Sequence, residues 1–274
     1  MDLVSTLILA NARPGTLPRA LESALAQDYP YQEIIVVQDS DDSEVREVVQ
    51  RYERRDARVK HFQNPKPGSI AQASNYGVAV SSGKYVAVLD DDDSWTTPAK
   101  LSLQVSFLAA HAAVVGVGGH VIVVGEGTTE LTRYRKPIED HAIRRVALRA
   151  NPLANSASMF RRKTWERVGG YDESLPAFHD WDFWLKAGKQ GELANVDRYL
   201  LQYQLWQEGS SWRRLRANAK ASREIVRRHR SDYSGADLAT VLSWLYTLYA
   251  YVPPSVTSRL YPALSAAKKR WLSR

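Results

Sequence analysis

Apolar and polar residues follow one another along the N-terminal third of the chain in two rhythms, short continuous apolar runs and helical repeats. Val4 to Ala10, apolar apart from Ser5 and Thr6, predicts a buried strand. Behind Thr16, a helix-capping residue, Leu17, Leu21, Ala24 and Leu25 recur on one helix face, and Tyr29-Pro30 closes that helix. Glu33 to Gln38 predicts a second buried strand, followed by the polar turn Asp39-Ser40-Asp41-Asp42. Val45, Val48, Val49 and Tyr52 fall at i, i+3, i+4 and i+7, the mark of an amphipathic helix. Val59 to Phe62 predicts a short strand, and Gly68-Ser69 opens a helix of small residues that Gly83 ends. Tyr85 to Leu89 predicts another buried strand, and Thr97-Pro98 starts a further helix.

Strands alternating with helices predict right-handed βαβ units around a mainly parallel sheet, an α/β fold. Ligands on such sheets bind beyond the carboxyl ends of the strands, near a switch in strand order. Parallel strands carry both Asp39 and the run Asp90 to Asp93 to that edge. The C-terminal half is less regular. Val114 to Val124 predicts a hairpin, Ser156 to Phe160 a strand, Gly169-Gly170 a turn, Asp180 to Gln190 a helix and Tyr199 to Trp206 an extended segment.

Composition narrows the function classes. With 274 residues, 44% of them hydrophobic, the chain can bury one large core, and the absence of cysteine excludes disulfides, thiolate metal sites and cysteine nucleophiles. The net charge of +7 is uneven: residues 209–274 hold 13 Lys and Arg against 3 Asp and Glu, so the body is mildly acidic. A nucleic-acid module would carry such charge on its folded core, and no nucleic acid partner is expected. The N-terminus lacks a basic region followed by a long apolar stretch, and no window reaches the roughly 20 apolar residues of a spanning helix. The expectation is a cytoplasmic protein, free or peripheral at the inner face of a membrane.

Three constellations carry the candidate chemistry. Four adjacent carboxylates, Asp90 to Asp93, repel one another, and a fold that gathers them at a strand end suits a hard cation such as Mg or Mn; the alternative is a solvated acidic loop. Asp39 can accept from a base N–H or a ribose hydroxyl, or it can cap the helix that begins near Asp41. In Phe178 to Leu185, Asp180 and Asp182 precede or open a helix, where the dipole favours an ionised carboxylate able to act as general base, and Trp181 and Trp184 offer flat faces for sugar rings. The same residues also read as a capped helix with two core tryptophans, and His179 alone reads as structural.

In this order, the pieces resemble glycosyltransferase family 2, whose catalytic domain has the nucleotide-diphosphosugar transferase (GT-A) fold. The likeness runs from Val4 to about Ser211. It rests on the Val4-Ser5 strand, Leu21 to Pro30, Glu33 to Asp39, Asn75-Tyr76-Gly77, Gly83-Lys84-Tyr85, Asp90 to Asp93 with Trp95 and Pro98, Val168 to Asp172, and His179 to Asp182. The resemblance implies a GT-A domain over 1–211, with a nucleotide-sugar half (1–110) and an acceptor half (111–211), then a basic helical extension over 212–274. It implies an inverting, metal-dependent, hexosyltransferase-type enzyme that moves a sugar from a nucleotide-diphosphate donor, UDP by default, to a carbohydrate or lipid-linked acceptor in cell-surface polysaccharide or glycoconjugate synthesis. By the same likeness Asp39 meets the base, and Asp90 or Asp91 the ribose and diphosphate. Ala10, Asn11, Arg13 and Asn75 line the nucleotide-sugar pocket, Asp92 ligates Mn or Mg, and Asp180 deprotonates the acceptor. Trp95, His179, Trp181 and Asp182 line the acceptor side.

Four positions depart from the family pattern. The first strand ends Leu9-Ala10 rather than Pro-Thr, Ser74 stands where an arginine is common, His179 where a glutamate is common, and Trp206 where a histidine often holds metal or diphosphate. A non-catalytic, degenerate transferase that still binds nucleotide or sugar is therefore the rival reading, although every carboxylate the chemistry needs is present. A nucleotidyltransferase would carry a glycine-rich basic loop after the first strand, which Asn11-Ala12-Arg13-Pro14-Gly15 does not match. In the tail, 212–230 predicts a basic amphipathic helix and Leu238 to Val252 an apolar one, with Lys268-Lys269-Arg270-Trp271 beyond. Basic residues beside Trp, Tyr and Leu describe an interfacial helix, and the alternative is packing on the domain itself or on a second copy.

Overall fold

The computed structural model describes residues 2–206 and 214–252, so the cluster Lys268 to Trp271 lies outside the described residues. The predicted alternation is present: β1 (Val4–Ala10), α1 (Leu17–Leu25), β2 (Gln32–Gln38), α2 (Ser43–Arg55), β3 (Val59–Gln63), α3 (Ile70–Val80) and β4 (Tyr85–Asp90). There follow β5 (Ser94–Trp95), α4 (Lys100–Ala110), β6 (Val114–Val124), β7 (Glu130–Tyr134), α5 (Asp140–Val146), β8 (Met159–Arg161), α6 (Arg162–Val168), α7 (His179–Gly188) and β9 (Glu192–Gln204). Two helices, α8 (Leu215–His229) and α9 (Ala236–Tyr249), complete the described chain.

The sheet runs β3-β2-β1-β4-β8-β6-β9-β5, with β7 paired to β6. β1 is parallel to β2 and to β4, and β2 to β3, whereas β8 is antiparallel to both β4 and β6. The chain leaves β1 on one side and returns to β4 on the other, which makes the β1/β4 edge the switch point where ligands bind. Period-two alternation sorts β1 between two layers. Val4 and Ile8 pack with Leu17, Leu21, Val45 and Val49 from α1 and α2, while Leu7 packs with Ala71, Ala73 and Val78 of α3 and with Phe183 and Trp184 of α7. Each such fully buried aliphatic side chain contributes about 1.5–3 kcal/mol.

The Val114–Val124 segment is one strand rather than a hairpin. Its glycines are read by neighbours and not by a turn: a Cβ on Gly116 would enter the Trp184 ring, and one on Gly119 would meet Leu200. Ser156 and Ala157 lie in a single 3-10 turn, and the strand begins at Met159. The tail docks on α7. Ile225 and Val226 of α8 pack with Trp181 and Leu185 of α7, and Tyr233 Oη donates to Leu185 O at 2.7 Å. Among the described residues no helix is long and apolar enough to cross a membrane.

Candidate active site at the carboxyl edge of the sheet

Strand register explains how distant carboxylates meet. Ala10 at the end of β1 pairs with Gln38, so Asp39 follows on one side, and Leu9 pairs with Asp90 on the other. The Asp39 backbone N–H donates to Ala10 O at 2.8 Å, and its carboxylate accepts from Asn64 Nδ2 at 2.5 Å. Helix α2 is capped instead by Asp42, which accepts from the Glu44 and Val45 N–H groups. Asp39 is thereby left at the edge, outside the cap.

The acidic turn after β4 is folded inward, not solvated: Asp91 and Asp93 are 3% and 1% exposed. Asp91 accepts from the Asn11 N–H at 2.9 Å and from Arg13 Nη1 at 3.1 Å. Burial raises the Asp91 carboxyl against the pull of those donors. Arg13 Nη1 also pairs with Asp92 Oδ2 at 2.6 Å, and the Trp206 indole Nε1 donates to the same oxygen at 2.8 Å. The two contacts fall on Oδ2 and leave Asp92 Oδ1 outside both. Asp93 accepts from the Gln204 N–H at 2.9 Å, whereas its Oδ2 is buried without a hydrogen-bond partner. Burial, then Asp92, pushes the Asp90 carboxyl up to about 7. Arg19 joins the group by donating to Asp92 O and, at 3.1 Å, to Gln204 Oε1.

Asp180 comes from α7 and acts on this cluster through its charge. Its charge is among those that raise Asp90, and the Tyr171 hydroxyl, driven up by burial, also feels Asp180 and Asp90. Asp180 sits in the first turn of α7, and Asn151 Nδ2 donates to its Oδ2 at 2.5 Å. The residue before that helix, Phe178, is held at φ 58°, a left-handed conformation costly for a large side chain and common at functional sites. His179 turns its ring edge to Tyr171 at 5.4 Å, burial lowers its pKa, and its Nε2 is buried without a hydrogen-bond partner among the described residues.

Several residues expected at the site stand elsewhere. Trp95 is in the core, where its Nε1 donates to Ser156 O at 2.7 Å and the Lys100 ammonium lies 4.1 Å over its ring. Trp181 also faces inward, donating to Ala147 O at 2.7 Å, and both indoles are spent on packing rather than offered to a sugar. Asp182 is 2% exposed on the opposite side of α7, accepting from His229 Nε2 at 2.9 Å and paired with Lys186 at 3.2 Å. It anchors α8, and its carboxylate does not join the Asp180 cluster. Asn75 accepts from the Tyr171 N–H at 2.8 Å and the Trp165 indole at 3.2 Å, and donates to Tyr171 O and Glu173 Oε1 at 2.9 Å each. With all four bonds used, it holds the glycine turn at 169–171 instead of a ligand. Asn75→Ala is expected to lower unfolding free energy by about 2 kcal/mol through the donors left unpaired, with nucleotide-induced stabilisation unchanged in a thermal-shift assay.

Sequence reasoning missed Arg19, Gln204 and Asn151, and it treated Trp206 only as a lost histidine. Arg19 was within sight, two residues past the first core leucine of α1 and on its sheet-edge side; nothing local marks Asn151. No three His, Asp or Glu among the described residues surround a common metal position.

The chain matches the family model described as glycosyl transferase family 2 over residues 5–169. An uncharacterized glycosyltransferase of Haemophilus influenzae is 24% identical over 212 residues, 74% of this chain and 65% of the relative. The UDP-Glc:alpha-D-GlcNAc-diphosphoundecaprenol beta-1,3-glucosyltransferase WfaP of Escherichia coli is 34% identical over 108 residues, 39% of this chain and 42% of that one. The chain thus spans less than two thirds of the length of either relative. The mannosyltransferase PcManGT of Pyrobaculum calidifontis, solved in complex with GDP-Man and Mn2+, superposes with a TM-score of 0.68 at 15% identity, covering 99% of this chain and 83% of that one. That likeness is one of fold. A sheet switching direction beside two acidic strand ends, with a family match across it, makes this chain a member of glycosyl transferase family 2 with the GT-A fold.

Proposed function

We propose that the chain moves a sugar from a nucleoside-diphosphate sugar to an acceptor hydroxyl, inverting the anomeric carbon. The observation that carries this reading is the strand register that brings Asp39 and Asp90 to either side of the β1 carboxyl end, with Asp91 and Asp92 gathered on Arg13 beside them. Asp180 takes the proton of the acceptor hydroxyl while that oxygen bonds to the anomeric carbon from one side. The bond to the diphosphate oxygen breaks on the other, and the nucleoside diphosphate leaves. One displacement along one line inverts the centre. UDP is the default nucleotide, supported by the UDP-Glc named for the E. coli relative, and a saccharide or lipid-linked saccharide of a cell-surface polymer is the acceptor class.

The donor set fits a divalent cation delivered with the diphosphate better than a resident one. Mg and Mn need only one or two carboxylates when substrate phosphates and water complete the shell, and Asp92 Oδ1 lies clear of Arg13 and Trp206. Asp92 would hold the ion, with Arg13, itself held by Asp91, fixing the orientation of that carboxylate through Oδ2. The ion would offset charge on the departing diphosphate. Arg13, already beside these carboxylates, supplies a second positive charge for the phosphates.

The test is a thermal-shift screen of UDP, GDP, CDP, ADP and dTDP, each with Mn and with EDTA. A ligand at 100 times its dissociation constant stabilises by about 2.7 kcal/mol, so one nucleotide should raise the melting temperature only with metal. Equal stabilisation in EDTA removes the metal from the reading. No stabilisation in a folded protein replaces catalysis by the degenerate, non-catalytic alternative.

A further inference from the structure

Helix α9 is amphipathic the wrong way round for a helix packed on its own domain. Its fully buried positions are small, with Ala239 2% and Ser243 5% exposed and Ala250 following at 6%, and Tyr246 and Tyr249 pack half-buried against Leu215 and Ala219. Its outward face carries Leu238, Val241, Trp244, Leu245 and Leu248, which are 45% to 65% exposed. The burial of large apolar side chains normally drives such packing, and here these five are turned to solvent from one end of the helix to the other. A continuous apolar face of this extent on a folded surface marks an interaction site.

The border of that face is cationic. On α8, Arg216, Lys220, Arg223 and Arg227 fall at i, i+4, i+7 and i+11, within a narrow arc of one helix side. Arg223 lies 4.5 Å over the Trp244 ring and Arg216 lies 4.8 Å over the Tyr251 ring, which seats the stripe directly beside the apolar face. Of the four, Arg227 pairs with Glu224. The sequence past Val252 adds Arg259, Lys268, Lys269, Arg270 and Arg274 and no acidic residue.

We propose that α8 and α9 form a docking face for an anionic lipid surface, with the outward side chains of α9 entering the interface and the Arg216, Lys220 and Arg223 stripe lying against the headgroups. Charge selects this occupant over two others. A two-fold dimer places the same patch on both sides of the interface, so two faces of like positive charge would be brought together. The chain's own segment 253–274 is equally basic and would meet the stripe with like charge. An anionic surface meets both the apolar face and the cations. The proposal goes beyond sugar transfer, since none of these residues belongs to the carboxylate edge. It does bear on that edge: α9 packs on α8 and α8 on α7, so a docked α9 would bring Asp180 to within roughly 20 Å of the surface, two helix-packing distances.

Vesicle co-sedimentation of the full chain tests this, using phosphatidylcholine alone and phosphatidylcholine mixed with phosphatidylglycerol. The chain should pellet with the mixed vesicles, and added salt should release it. Leu245→Asp with Leu248→Asp, both at exposed positions, should abolish pelleting. Arg216→Gln with Lys220→Gln should weaken it by about thirtyfold. In every variant the metal-dependent nucleotide thermal shift should be unchanged, which separates this proposal from the proposed transfer reaction and confirms folding. Equal pelleting with both vesicle types, or none with either, overturns the proposal. So does a concentration-dependent dimer by light scattering that Leu245→Asp converts to monomer while vesicle binding is absent.

Discussion

Asp180→Asn is expected to lower transfer at saturating donor by about 100- to 10,000-fold, the range a lost general base commands, while the metal-dependent nucleotide thermal shift stays as in the parent. The substitution is close to isosteric. An asparagine here can keep a contact with Asn151, and the first turn of α7 retains its Phe178 junction, so the backbone that aims position 180 is not disturbed. What is lost is the capacity to take a proton. Measured transfer to a simple acceptor, with donor hydrolysis followed in parallel, gives the decisive comparison. If transfer and nucleotide binding fall together, position 180 shapes the donor site rather than deprotonating the acceptor. If transfer survives, the base is another residue, and His179, kept neutral by burial beside Asp180, is the next group to test.

The carboxylates were legible from the sequence because their placement follows from strand period alone. Continuous apolar runs mark buried parallel strands, and whatever polar residues follow such strands arrive at one edge. Asp39 and Asp90 needed nothing more. The choice between capping and ligand contact at Asp39 could not be made locally, since Asp39, Asp41 and Asp42 are each able to cap. Only the helix start at Ser43 shows that Asp42 does so.

The tryptophans failed for the opposite reason. An indole next to an aspartate is a sugar platform or a core residue depending on what lies across from it, and that partner is far away in sequence. Trp181 found Ala147 O and Trp95 found Ser156 O, at sequence separations of 34 and 61. Asp182 differs from Asp180 by two positions, about half a helical turn, enough to send one carboxylate to Asn151 and the other to His229 on α8. The short elements were equally hidden: β5 has two residues, and α5 and α6 seven each, too few to establish a period. In β6 the glycines suggested a turn, although it is the bulk of Trp184 and Leu200 that requires them.

Trp206 is where sequence and structure combine into the second large effect. A family comparison casts it as the loss of a histidine, whereas the structure has its indole N–H on Asp92 beside Arg13. Asp92→Asn should abolish the metal-dependent part of the nucleotide thermal shift and lower transfer by about 100- to 1,000-fold, the usual cost of removing one electrostatic contact to a developing charge. Trp206→Phe keeps the ring's bulk and removes only the donor to a carboxylate, a contact worth about 1.5–3 kcal/mol. It should therefore loosen Asp92 without abolishing metal dependence, and raise the metal concentration needed for half-maximal stabilisation. The pair of variants separates two roles for Asp92. A carboxylate that holds the cation loses metal dependence when its charge is removed, whatever stands at position 206. A carboxylate that only anchors the indole gives the same modest change in both variants, with metal dependence intact, and the cation must then be assigned to Asp90 or Asp91 instead.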